Sequence, residues 1–374
     1  MDRVEGAEAT GEVDDLMASV GLTHGRRNTL AGTWADGERR GRLPQTTVQV
    51  AANRAVGVEV VRAAAWKRYG WLWHGFSTRA GGVSSVYDRG RGEGTLNLGW
   101  TTQDKAANVA ENRRRLLAEI AGSSAGAPGP EVSVVGLRQF HSAMIRVVEM
   151  GNGALREQVF AGRLQTPDGR AALRGDGLMT DVPGVMLGVQ VADCVPVLVA
   201  DVRRRAVAAF HAGWRGTLAR MVERGIGTLR LRYGSRVEDL VAAVGPAIGP
   251  CCYRVGEEVR FEFESQFAYA PQLFSEVYDS DPVREKYPLL FLTARAPGHS
   301  NIGPQIHLDL WEANRRQLLD AGVRAKRITV VGECTACTGL GTAAGRKYFS
   351  HRGESGFAGR MMGVVGVARQ ARRR

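Results

Sequence analysis

From "WLWHGFSTRAGGVS" onward, short apolar runs are separated by polar and Gly-rich stretches. The paired glycines of "RAGG" mark a turn, because glycine takes backbone angles that other residues avoid. "TLNLGW" predicts a short strand, and "VSVVGLRQFH" predicts a strand leading into His141. "GVMLGVQVADCVPVLVAD" and "RRAVAAFHAGW" predict further strands, with Asp193 and Cys194 inside the first stretch and His211 at the end of the second. "LVAAVGPAIGPCCY" reads as strand then turn, and "RITVVGECT" as a last long strand. Three stretches carry a helical period. In "TTQDKAANVAENRRRLLAEIAG", Leu116, Leu117 and Ile120 share a face, Thr102 or Asp104 can cap and Gly122 can stop. In "TLARMVERGIGTLRLRYGS", Leu218, Met221, Val222, Ile226 and Leu229 recur at helical spacing. "LDLWEANRRQLLDAGV" offers Asp309 as cap and Gly322 as stop. Residues 151–175 read as a loop and 266–305 as an insertion. Strands and helices mix without strict alternation, which argues against a simple doubly wound sheet.

Residues 1–55 have few aromatics and no persistent period, so they read as a disordered or loosely docked extension. A single catalytic domain is expected over 56–367, followed by a basic tail over 368–374, "ARQARRR". The composition, 44% hydrophobic and 24% charged, is that of a globular protein in water. No apolar stretch approaches the roughly 18 residues that span a bilayer, so no membrane partner is expected. The acidic start "MDRVEGAEATGEVDDLMASV" lacks a secretory pattern, which predicts a cytoplasmic protein. The net charge of +12 is dispersed outside the tail, so no nucleic-acid partner is expected. The five cysteines are odd in number and scattered, which does not suit a disulfide framework.

Cys194 and His211 can be placed by counting. If Ala200 faces Arg205 across a hairpin closed by "DVRRR", Cys194 faces His211, with side-chain stems roughly 5 Å apart. His141 ends another apolar strand. One Cys and two His at strand ends suit a zinc shell with an open fourth position. The same residues suit a Cys nucleophile with a His base. Cys194 as a small core residue is the third reading. "HAGWRGT" then enters a helix near Thr217, where Arg215 and the helix start favour an anion such as phosphate.

The motifs "HGFSTRAGGVS", "LNLG", "AENRRRL", "RQFHS", "GDGLMTDVPGVMLGVQVADCVPVLVAD", "FHAGWRGT", "GPAIGPCCYRVGEEV", "HLDLWEANRRQLLDAGV" and "FSHRGESGFAGR" occur in one order. Over residues 70–367 the chain thereby resembles a widespread YfiH-like family. That family is known as laccase-domain or multicopper polyphenol oxidase and as purine nucleoside phosphorylase. The resemblance implies an α+β fold of two packed mixed β-sheets flanked by helices, layered α/β/β/α. It implies zinc held by His141, Cys194 and His211. It implies phosphorolysis of adenosine, inosine, guanosine or methylthioadenosine with phosphate as co-substrate, and deamination of adenosine. Cys194, Asp193 and His211 are the catalytic candidates, Asp193 as an orienting or acid–base group beside the metal or as a turn residue. Arg79, Asn97, Gln139 and Arg215 are the candidates for substrate contact. His74 suits a supporting or a structural place. Monomer and homodimer both stay open.

The resemblance has departures. Gly353 follows Arg352 where the family often has two arginines, and Gln103–Asp104 stand where it has Gly-Asp. Multicopper oxidases need about ten His ligands with His-X-His pairs, since imidazole holds copper. This chain has seven His and no such pair, which argues against laccase chemistry. A cysteine hydrolase editing peptidoglycan precursors is the alternative enzyme. Cys334 and Cys337 form a lone Cys-x-x-Cys and read as incidental thiols, and Cys251–Cys252 as a packed turn. "GLGTAAGRKY" lacks the spacing and ending of a phosphate loop.

Overall fold

The computed structural model describes residues 49–52, 57–88, 94–122, 132–151, 154–157, 164–165, 170–277, 305–342 and 345–369. The expected extension over 1–55 lies outside these residues except for 49–52, as does the tail beyond 369.

Two mixed sheets carry the fold. The first orders β1 (Gln49–Ala52), β2 (Glu59–Arg62), β3 (Leu72–Ser77), β17 (Met361–Val367), β9 (Val185–Val191) and β5 (Ser133–Val135). The second orders β16 (Ile328–Val330), β12 (Leu240–Val244), β10 (Val195–Asp201), β11 (Val207–Ala212), β8 (Gly177–Thr180), β6 (Ile145–Gly151) and β7 (Ala154–Glu157). A small third sheet orders β13 (Arg254–Val255), β15 (Gln305–Leu308) and β14 (Phe274–Val277). Strand β4 (Ala80–Ser84) packs on helix α1 (Ala106–Ala121). The other helices are α2 (Trp214–Leu218), α3 (Met221–Tyr233), α4 (Glu257–Gln266) and α5 (Leu310–Asp320).

The central strands are apolar on both sides because both faces are covered. On β10, Leu198 and Ala200 meet Leu187, Val189 and Val365 of the first sheet. Val195, Val197 and Val199 face away, towards Met221, Ile226 and Leu318 of α3 and α5. Gly225 lets α3 approach closely, since a Cβ there would lie 2.2 Å from the Phe210 ring. Beyond the first sheet, Leu116 and Ile120 of α1 pack on Val60, Met186 and Val364. The layers run α/β/β/α, as the resemblance implied. No helix among the described residues is long and apolar enough to cross a membrane.

Several local expectations need correction. Thr102 and Asp104 do not cap α1, whose N-cap is Lys105 with no side-chain bond. The Asp104 carboxylate accepts instead from Ser84 Oγ, Asn97 Nδ2 and Asn108 Nδ2. Asp309 does cap α5, accepting from the Glu312 N–H at 3.0 Å. "TLNLGW" contributes only bridges at Thr95, and β16 is short. The 151–175 stretch holds the end of β6 and all of β7. The insertion contains the end of α4, β14 and the start of β15. The helix placed near Thr217 starts at Trp214 and is broken at Arg220, whose φ is 58°. The five-residue α2 has too few aligned peptides for the anion-favouring terminus expected there.

Candidate metal centre

The chain crosses from the first sheet to the second between β5 and β6, and His141 lies on that crossing. It meets the open end of the β10–β11 hairpin, beside the seam between the sheets. The hairpin register differs from the counted one by two. Pro196 faces His211 and Ala200 faces Val207, because residues 202–205 make the turn. The Asp201 carboxylate accepts the Arg203 and Arg204 N–H groups, and Arg205 takes a φ of 57°. A slip of two keeps every side chain on its face. Continued past the last pair, Cys194 comes level with Gly213, and His211 becomes its diagonal neighbour. Gly213 keeps the space open. A Cβ there would lie 2.7 Å from Cys194 Sγ and 3.2 Å from His141 Cδ2.

One ligand atom from each of His141, Cys194 and His211 lies within 4.8 Å of the others. His141 Nε2 is 3.8 Å from Cys194 Sγ, and the two imidazole centroids are 5.0 Å apart. His141 is exposed, Cys194 half-buried and His211 buried. Two nitrogens and a sulfur converging beside solvent form a donor set for a borderline-soft divalent cation.

Asp176 organises this set and was missed in the sequence. Its fully buried carboxylate sits 2.8 Å from His211 Nδ1. It also accepts the backbone N–H groups of Phe140, His141 and Ser142 and the Ser142 hydroxyl. A proton on His211 Nδ1 then leaves Nε2 as the free lone pair. Burial would raise the Asp176 carboxyl, but the bonds from His211 and Ser142 prevail and hold it at about 2. The signal was present as a carboxylate between two glycines at the mouth of an apolar strand. Burial likewise opposes the charges on Cys194 and His211. Next to His211 and His141, the Cys194 thiol nevertheless falls to about 6. Beside Cys194 and Asp176, the His211 imidazole rises to about 9.

The backbone is strained at two points here. His141 has a φ of 61° and Asp193 a φ of 93°, at a cost of about 1–3 kcal/mol each. Asp193 is held by three elements. Its Oδ1 accepts from Thr335 Oγ1 and its Oδ2 from the Arg352 N–H, both at 2.6 Å. Its carbonyl accepts the Ile248 N–H.

The cysteines expected to be incidental thiols and a packed turn instead gather into a second group. The sulfurs of Cys251, Cys252, Cys334 and Cys337 all lie within 4.8 Å of one another. Hydrogen bonding from Cys251 drives the Cys334 thiol well down, and contact with Cys252 drives Cys251 well up. Tyr253 follows Cys252 in sequence and lies in electrostatic reach of Cys194. Burial and then the neighbouring Cys194 charge push its phenol up, with Arg352 and Arg215 also in electrostatic reach.

Residues 73–368 match the family model described as multi-copper polyphenol oxidoreductase laccase. The chain belongs to that family. This laccase-family chain is 34% identical to the purine nucleoside phosphorylase YlmD of Geobacillus stearothermophilus, over 79% of its own length and 94% of the relative's. It is 32% identical to the adenosine deaminase RL5 of an unknown prokaryotic organism, over 54% of its own length and 64% of the relative's. The crystal structure of the Geobacillus YlmD superposes with a TM-score of 0.59 at 31% identity, covering 83% of this chain and 96% of that one. The Bacillus licheniformis hypothetical protein YfiH superposes with a TM-score of 0.62 at 28% identity, covering 82% and 96%.

The remaining candidates are engaged within the fold of this laccase-family chain. Gln139 exchanges two bonds with the Gln190 backbone, which fixes the approach to His141. Arg79 pairs with Glu354 and donates to the Tyr87 carbonyl. Asn97 is fully buried, its amide shared among Gly99, Asp104 and the Arg360 N–H. Arg215 lies over the Trp214 ring. His74 is buried against Trp66 and bonded to the Ala63 carbonyl. Burial lowers its pKa to about 4.

Proposed function

We propose that the protein is a zinc-dependent purine nucleoside phosphorylase that also deaminates adenosine. The observation that carries the metal part is the His141, Cys194 and His211 donor set, with Asp176 fixed on His211. The substrate class rests on the names of the relatives. Three protein donors with an open side suit a catalytic zinc, and Gly213 leaves room for one. Zinc, when bound, would supply a Lewis acid.

The chain's own residues do the positioning. Asp176 holds the His211 tautomer and the backbone of 140–142, so two donors share one buried anchor. Asp193 acts as a positioning residue, since both carboxylate oxygens are bonded and its backbone aims Cys194. Arg215 and Arg352, both in reach of Tyr253, give the anionic co-substrate a positive margin. Phe140, exposed next to His141 with the Arg174 guanidinium over its ring, adds an aromatic group at the edge of the site where a purine could stack. In phosphorolysis a phosphate oxygen bonds to ribose C1′ as the C1′–N9 bond breaks, and the purine leaves with that electron pair and gains a proton. A thiol ligand must stay reduced, which suits a cytoplasmic setting.

Incubation of pure protein with adenosine, with and without phosphate, tests this reading. Adenine and ribose-1-phosphate are expected only with phosphate, and inosine in both mixtures. No turnover in either overturns it. The cysteine hydrolase is favoured by one observation, the lowered Cys194 thiol against the raised His211 imidazole. It requires Cys194 to be alkylated, with loss of activity, in fully metal-loaded protein. Protection by metal excludes it.

A further inference from the structure

We propose that Cys251, Cys252, Cys334 and Cys337 form a second metal centre, a tetrathiolate zinc site that pins the loops behind Cys194. It is independent of the nucleoside chemistry above.

The two halves come from separate turns. After β12, Cys252 and Tyr253 both donate their N–H groups to the Gly249 carbonyl at 2.9 Å. In a strand, neighbours such as Cys251 and Cys252 would point to opposite faces. This turn brings both sulfurs to one group. After β16, the Cys-x-x-Cys turn is closed by the Thr338 N–H on the Cys334 carbonyl at 3.0 Å. It is joined to the first turn by a parallel bridge between Ala247 and Cys334.

The spacing suits an ion. A Zn–S bond of about 2.3 Å places tetrahedral sulfurs about 3.8 Å apart, whereas a disulfide needs about 2.0 Å. Cys251 Sγ and Cys337 Sγ are 3.6 Å apart. The Gly249 N–H points at Cys334 Sγ at 3.3 Å, which stabilises negative charge on that sulfur. Four sulfurs fill a tetrahedron and leave no open position, the pattern of a structural zinc. Binding releases the thiol protons to solvent. The same two turns hold Asp193 through Thr335 and Ile248, so an ion there would fix the residue that precedes Cys194.

Elemental analysis of the full-length protein, purified under reducing conditions, tests the site. Two zinc equivalents per chain are expected. The double variant Cys251→Ser/Cys337→Ser should keep one, and His141→Ala/His211→Ala should keep the other. The four thiols should resist alkylation in the native protein and react after chelation, read by peptide mass spectrometry on the wild type. That measurement holds even if the cysteine variant does not fold. A single zinc that vanishes with the His variant overturns the proposal. So does a disulfide among the four, immediate alkylation of the native thiols, or an equivalent of iron that depends on them.

Discussion

The two donor groups on either side of Asp193 differ in chemistry and in support. The His141, Cys194 and His211 group mixes nitrogen and sulfur, is open on one side, and has a buried carboxylate behind it. The four-cysteine group is all sulfur, is bonded to no carboxylate among the described residues, and rests on turn backbone. An open, supported site suits chemistry, and a closed one suits mechanical fixing. Asp193 stands between them, bonded to the turn of one and adjacent in sequence to the other.

Cys194→Ala should have the largest effect. It removes a proposed ligand, so nucleoside turnover should fall on the order of 1,000-fold, about 4 kcal/mol of barrier. Metal analysis should show the first equivalent lost and the four-cysteine equivalent kept. Activity surviving in metal-depleted Cys194→Ala protein would sink the zinc reading.

Asp176→Asn should follow, weakening metal at the first group by about 10–100-fold in a chelator competition while sparing the second. The same variant tests a pH effect. The Asp176 carboxyl is held at about 2, below its unfolded value near 3.8. Its contribution to stability is therefore complete above the unfolded value and disappears as pH falls through about 2. Wild-type melting temperature should drop across that window, and the variant's should drop less. Equal slopes would remove Asp176 from the account.

Gly213→Ala should come next. The added methyl meets Cys194 Sγ, so first-group affinity should fall about 10-fold while the melting temperature of the metal-free protein changes little. Thr335→Val should be the mildest. It leaves Asp193 Oδ1 without its hydroxyl partner, at a cost of about 1–2 kcal/mol in denaturant melts, and both metals should stay. If turnover falls as far as for Cys194→Ala, Asp193 does more than position.

The helices were readable because their periods and stop residues are local. Gly122 takes a left-handed φ of 71° at the end of α1, and Asp309 caps α5. The three donors were readable because His141 and His211 end apolar runs and Cys194 opens one. The miscounted hairpin cost little, since an error of two preserves the face. Asp176 is not legible from its own motif, because its role depends on a loop 35 residues earlier. The four cysteines are illegible for the same reason. Each pair alone is weak, and the contact between them spans 86 residues.

The tethers on Asp193 also bear on how the protein is made. They join residues 142 and 159 positions apart in sequence, and closing such long loops is slow. Strand β17, between β3 and β9, is supplied by residues 361–367, far downstream of His211. A nascent chain therefore carries His141, Cys194 and His211 long before the first sheet can close or Asp193 can find both partners. On the proposed zinc reading, metal would bind late in biosynthesis, and a chain truncated before residue 350 should not hold it.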